Sequence, residues 1–240
     1  MKVAIHQPQY LPWLGYLAKW SAADVFVFLD TVQYEKNGWQ NRNRIKTRDG
    51  AAWLTVPVRA PLGTPIHAVA IETREPWRRR HARAIAHAYA GAPGFARFRP
   101  ALDALYARPW EALSPLAIAS AGWLAEAFGI TTPTRLASDL GVTDTDPTGR
   151  LVALCRALGA DTYLAGHDGL LYMDLAQFAR AGITVLCQAY TAQAYPQQHG
   201  AFLPNLSALD LLLNAGADGL AVLRAGDHWE RPEAGDDRVS

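Results

Sequence analysis

The segment KVAIHQPQYLPWLGYLAKWSAADVFVFLD, residues 2–30, decides the fold. Residues 2–5 are a short apolar run, read as a buried strand; it breaks at His6-Gln7-Pro8, and a second proline, Pro12, follows. Residues 14–22 then carry Leu14, Leu17, Ala18 and Trp20 at helical spacing. Residues 25–29, VFVFL, are β-branched and aromatic, which predicts a second buried strand with Asp30 at its end. Strand, loop, helix and strand in this order predict a right-handed βαβ unit and therefore a parallel sheet. Ligands of such sheets bind beyond the carboxyl ends of the strands. His6 and Asp30 both fall at such ends, so the pattern predicts that they share one cleft.

Outward from this unit, residues 31–48 are polar and rich in Asn, Gln and basic side chains, read as a long loop or irregular helix followed by a strand. Residues 53–58, WLTVPV, and 68–71 read as strands. Residues 77–128 are rich in Ala and Leu and interrupted by Pro93, Pro100, Pro109 and Pro115, which predicts an inserted region of three or four helices. A helix over 148–158 capped by Gly159, a strand over 162–165, a helix over 175–180 and a strand over 183–186 predict another βαβ unit. Residues 206–214 read as a helix with Ser207 near its N-cap. The expected fold class is α/β, a Rossmann-like parallel sheet of βαβ units in a single domain over 1–229, helical insertion included. A polar, flexible tail is expected over 230–240.

Composition narrows the function classes. Half of the 240 residues are hydrophobic, and 23 basic side chains against 22 acidic ones leave a net charge of +1. A near-neutral chain has no global field for unspecific binding of nucleic acid or anionic membrane. The opening residues hold no signal-peptide core, and no stretch approaches the roughly 18 apolar residues of a membrane span. Cys155 and Cys187 form no CxxC pair, which suits a reduced cytoplasm. The histidines show no HxH, HxxxH or HExxH pairing, so no metal is expected; P-loop, GxGxxG and GxSxG patterns are absent too.

The opening motif HQPQYLPWLGY, residues 6–16, places imidazole, amide, phenol and indole groups on one proline-stiffened loop. His6 and Asp30 are the catalytic candidates: a titratable base, and a carboxylate to orient it or hold an ammonium. Gln7, Tyr10 and Trp13 on the loop are candidate substrate contacts. So are Gln33, Lys36, Asn37, Trp39, Asn41 and Arg42 in the following polar stretch, where cations suit phosphate or carboxylate and amides read sugar or amide edges. Tyr195 and Gln197 sit on a later aromatic and glutamine-rich loop read as reaching the cleft. Cys187 reads as core packing, and the run Arg78-Arg79-Arg80-His81 as a solvated helix face that would otherwise suit an acidic partner.

The chain resembles the WbqC-like protein family of bacterial proteins found with surface-polysaccharide and specialised-metabolite genes. The likeness rests on HQPQYLPWLGY, the strand ending in Asp30, VQYEKNGWQNRNRIK (32–46) running into WLTVPV, YLAGHDGLLYMD (163–174), the loop at 190–202 and LSALDLLLNAG (206–216). The resemblance implies assembly work on amino sugars or amino-acid-derived metabolites. The expected reaction is transfer of an acyl or aminoacyl group from a carrier-protein thioester to an amine. His6 would be the general base and Asp30 its orienter, with Gln33, Asn37, Asn41 and Arg42 positioning substrate or pantetheine. No cofactor is expected beyond the carrier's phosphopantetheine arm. The loop-to-helix step is also similar to nucleotidylyltransferases, but Trp13 and Tyr16 stand where the two histidines of an HxGH motif would grip phosphate. Nucleotide-dependent transfer is therefore the alternative enzyme reading, and a non-catalytic sugar- or nucleotide-binding accessory protein the third.

Overall fold

Val3, Ala4 and Ile5 point alternately to the two faces of one sheet, and the core divides accordingly: Ala4 belongs to one apolar cluster, Val3 and Ile5 to the other. The computed structural model describes residues 1–171 and 173–232. In chain order β1 (Lys2–His6), α1 (Leu14–Ala22) and β2 (Val25–Phe28) are followed by the hairpin β3 (Arg42–Thr47) and β4 (Gly50–Thr55). The short strands β5 (Val58–Arg59) and β6 (Ala70–Ile71) lead to three helices, α2 (Trp77–Tyr89), α3 (Phe95–Ala107) and α4 (Leu113–Ala127). Then come β7 (Thr134–Leu136), α5 (Pro147–Ala157), β8 (Thr162–Ala165), α6 (Leu175–Arg180) and β9 (Thr184–Tyr190). The chain closes with α7 (Ala208–Ala215), α8 (Gly219–Ala225) and β10 (Asp227–Glu230).

The main sheet has six strands in the order β10-β9-β8-β1-β2-β7. All neighbours are parallel except the antiparallel edge strand β10. The chain is thus an α/β protein with a Rossmann-like sheet. One face carries α1, α2, α3, α4, α7 and α8 over a core that includes Ala4, Phe26, Phe28 and Leu164. The other carries α5 and α6 over Val3, Ile5, Val27, Tyr163 and Val185. The helical insertion therefore shares the core of the sheet instead of forming a separate body.

The first βαβ unit is held by aromatic packing: Trp20 of α1 stacks on Phe26 at 4.7 Å and meets Phe28 edge-on at 5.3 Å. Burying each such ring contributes roughly 1.5–3 kcal/mol. The Trp20 indole N–H also donates to Thr132 O at 3.1 Å, which sets the start of β7 beside β2.

Residues 31–41 are loop and turn, the first of the two alternatives expected for them. Two other sequence readings need correction. Strand β9 runs on to Tyr190, four residues beyond the predicted end, because the outer strand β10 pairs with Cys187, Gln188, Ala189 and Tyr190. The expected tail begins too early: Glu230 still belongs to that pairing, Arg231 and Pro232 follow it, and the remainder lies outside the described residues.

Candidate functional site

Strand order positions the site. From β1 the chain moves to β2 and then β7 on one side, crosses back to β8, and continues to β9 and β10 on the other. The carboxyl ends of β1 and β8 therefore flank the point where the winding reverses, the usual place for a ligand crevice. A cleft of about 820 Å³ opens there.

Its wall is built from several elements. The end of β1 contributes Ile5, His6 and Gln7, and the loop and helix after it contribute Gln9, Trp13, Tyr16 and Lys19. Gly166 and His167 follow β8, Gln188 and Tyr190 come from β9, and Glu35, Trp39, Gln40 and Arg44 come from the polar stretch and its hairpin. Gly15 is needed for this wall: a Cβ there would lie 2.3 Å from the Trp13 ring and push the indole out of place. Trp13 in turn meets Tyr190 edge-on at 5.3 Å.

The opening loop is braced by the polar stretch it faces. Leu11 has a left-handed backbone, φ 44°, rare for a leucine. Its N–H donates to Ser120 Oγ at 2.9 Å, and its carbonyl accepts from Asn43 Nδ2 at 2.7 Å. Tyr10 N donates to Gln40 O at 3.1 Å, and Gln40 Nε2 donates to Gln7 Oε1 at 2.6 Å. Gln7, expected as a ligand contact, thus also helps two segments hold each other, together with Gln40 and Asn43.

His6 lies against Tyr16, ring centroids 4.7 Å apart. Its Nδ1 faces Gln7 O at 3.2 Å, which favours the tautomer with Nδ1–H donating and Nε2 as the free acceptor. Burial, and then the positive charge of Lys19, hold its pKa well below the usual histidine range. His6 is therefore neutral at physiological pH. Lys19 is only 2% exposed. A Cβ at Gly166 would lie 3.4 Å from Lys19 Nζ, so the turn after β8 passes directly over the ammonium. Asp227, on β10, accepts from Gln188 Nε2 at 2.7 Å, and burial raises its pKa despite Lys19 and those hydrogen bonds. Gln9 Oε1, Gln40 Oε1 and the Tyr190 hydroxyl are buried on the wall with no hydrogen-bond partner among the described residues.

Of the residues expected to form the site, the structure brings His6, Gln7, Trp13 and Trp39 together on the cleft wall. Asp30 does not join them. Its carboxylate is buried against Ser138, accepting from the amide at 3.0 Å and the hydroxyl at 2.8 Å, on the β7 side of the sheet. Tyr10 is buried under the helices, its hydroxyl 2.5 Å from that of Tyr106 and 2.9 Å from His81 Nδ1. Asn41 is buried and donates to Val56 O at 2.8 Å. Tyr195 donates to the buried Asp210 at 2.8 Å, and Gln197 clamps its own loop through both Leu203 backbone groups. Gln33 is exposed at an isolated bridge to Pro65, Lys36 and Asn37 lie on an exposed turn, and Arg42 stacks on Trp53, outside the wall. Sequence reasoning missed Lys19, Gln40, His167 and Gln188 as site residues; the one available signal was that Lys19 interrupts an otherwise apolar helix face.

A sequence model of the WbqC-like protein family matches residues 7–222. The chain belongs to the WbqC-like family. The matched span takes in the loop, the hairpin and the strands β8 and β9 that build the cleft of this WbqC-like protein. It is also similar to the uncharacterized protein Rv1507c of Mycobacterium tuberculosis (strain ATCC 25618 / H37Rv), 35% identical over 227 residues that cover 93% of this chain and 97% of that relative. No solved structure matches it. Among the described residues of this WbqC-like chain, no helix is long and apolar enough to cross a membrane.

Proposed function

We propose that the β1–β8 cleft is the active site of an acyl or aminoacyl transferase, which moves its group from the thioester of a carrier protein's phosphopantetheine arm to an amine on a small acceptor. One observation carries this reading: a neutral His6 on the cleft wall, its Nδ1 engaged by Gln7 O, beside the buried positive charge of Lys19. The amine nitrogen attacks the thioester carbonyl, forming a C–N bond and an oxyanion. Lys19, itself buried, and the wall amides oppose the oxyanion charge. His6 Nε2 takes the proton from the nitrogen. The C–S bond then breaks, and His6 returns the proton to the departing thiolate; the lowered pKa of the imidazole makes that return favourable. No enzyme nucleophile is used. Cys155, its thiol pushed up to about 12 by burial, is chemically quiet, and Cys187 is also buried; neither forms a disulfide, which suits the cytoplasm.

The test is intact-mass analysis of an aminoacyl-loaded carrier protein mixed with this protein and an amine acceptor, without nucleoside triphosphate. Loss of the acyl mass from the carrier with matching gain on the amine supports the reading. Transfer that starts only on adding a triphosphate, or fails under both conditions across a representative acceptor set, overturns it.

A further inference from the structure

Trp20, Trp77 and Trp110 are packed into the core, whereas Trp39 and Trp53 remain 43% and 46% exposed. Their rings lie 5.5 Å apart at 38°, forming a shallow aromatic surface on the β3–β4 hairpin. Two guanidinium groups flank it. Arg42 sits 4.4 Å over the Trp53 ring, and Arg44, opposite Trp53 in the hairpin ladder, is 5.6 Å from that ring and 6.0 Å from Trp39. The hairpin already has its own core contacts through Ile45 and Leu54, so the two indoles are not needed to anchor it. Each guanidinium makes one hydrogen bond, through Nη2, to Asn37 O or to Asn205 O, and Nη1 of each has no acceptor among the described residues. Trp39 and Arg44 also belong to the cleft wall, so this surface continues into the cleft mouth.

The chemistry narrows the occupant. Exposed indoles bind flat rings by stacking, and guanidinium forks bind phosphate. A neutral sugar would leave the guanidiniums unused, and inorganic phosphate would leave the indoles unused. A nucleotide satisfies both. The geometry points to a nucleotide platform at the mouth of the cleft, with the base against Trp39 and Trp53 and the phosphates facing Arg42 and Arg44. This rests on the transferase reading of the cleft and deepens it: one substrate enters carrying a nucleotide handle. Two sources share that chemistry: a nucleoside-diphosphate amino sugar as the acceptor, which the carrier-protein reading accommodates as it stands, and coenzyme A, which would take the place of the carrier protein as donor.

Calorimetric titration with coenzyme A and with a uridine-diphosphate amino sugar tests this, with pantetheine and the free amino sugar as handle-less controls. The expected result is that at least one nucleotide form binds and its control does not; which form binds identifies the source. The double variant Trp39→Ala/Trp53→Ala should weaken that binding about tenfold or more. Arg42→Gln/Arg44→Gln should weaken it and flatten its salt dependence. The thermal melt of the tryptophan variant should match wild type, since Trp39 and Trp53 are 43% and 46% exposed. The platform is overturned if neither nucleotide form binds, if the tryptophan variant binds as tightly as wild type, or if the controls match their nucleotide forms. His6→Ala should bind as wild type while losing transfer, so failure of the platform and failure of the transferase reading are read separately.

Discussion

The carboxylate of Asp30 accepts a hydrogen bond from the Ser138 amide at 3.0 Å and another from its hydroxyl at 2.8 Å. From sequence, a carboxylate directly after a buried strand was expected to orient His6. Position at a strand end was readable, but which way the side chain turns was not. That depends on Ser138, more than a hundred residues away in the chain, in a short helical turn just beyond a strand too short and polar to announce itself. Asp30→Asn therefore tests a structural role. The variant should lose about 1–3 kcal/mol of stability through the weakened Ser138 contacts, measurable by urea unfolding, while its transfer rate stays within about twofold of wild type. Lys19 is the opposite case. A single lysine on a helix normally reads as solvated, and only the turn at Gly166 closing over it makes it part of the site.

At the scale of elements, β1, α1 and β2 were legible almost to the residue, because alternating burial and helical spacing leave strong periodic signals. The segments β7, α8 and β10 were not. Strand β7 is three residues with an arginine at its centre, α8 is short, and β10 reads DHWE, with no apolar run. Such strands form because a neighbouring strand offers its edge, and that is tertiary information. The opening motif and the polar stretch read, in sequence, as ligand-contacting segments. They are rich in amides because they brace one another, and Asn43 is the central brace through the Leu11 carbonyl at 2.7 Å. Asn43→Ala should therefore leave a buried carbonyl unpaired and cost about 1–3 kcal/mol in urea unfolding. Because Leu11 lies between Gln9 and Trp13, the same variant should also raise the acceptor KM more than it lowers kcat.

For the whole molecule, the α/β class and the location of the cleft follow from hydrophobic patterning, whereas the return of the chain to β8 on the far side of β1 creates the site and has no local signature. Burial of polar groups also sets the response to acid. The His81 side chain, buried between Tyr10, Trp77 and Tyr106, has its pKa lowered to about 4, mainly by burial. A histidine of the unfolded chain titrates near 6.5. Between these values the unfolded state binds a proton that the folded state refuses, so stability falls as pH drops from about 6.5 towards 4. The loss attributable to His81 is on the order of 3 kcal/mol when complete. Burial raises the carboxyl pKa of Asp210 and Asp227, which act with the opposite sign, losing stability as pH rises through the range just above that of an ordinary carboxylate. Comparing wild type with His81→Gln isolates the histidine: the stability gap between them should narrow from pH 7 to pH 4.5, as read by urea unfolding.

The central claim is that a neutral His6 takes the proton during transfer, and the measurement that tests it most directly is the pH profile of the single-turnover transfer rate in wild type and in His6→Gln. Dividing one rate by the other cancels the ionisation of the acceptor amine. With the pKa of His6 held below the ordinary 6.5 by burial and Lys19, the ratio should be large and level through neutral pH and fall only below about pH 6.5. A ratio near one at every pH would contradict the account, because the cleft would then transfer its group without His6.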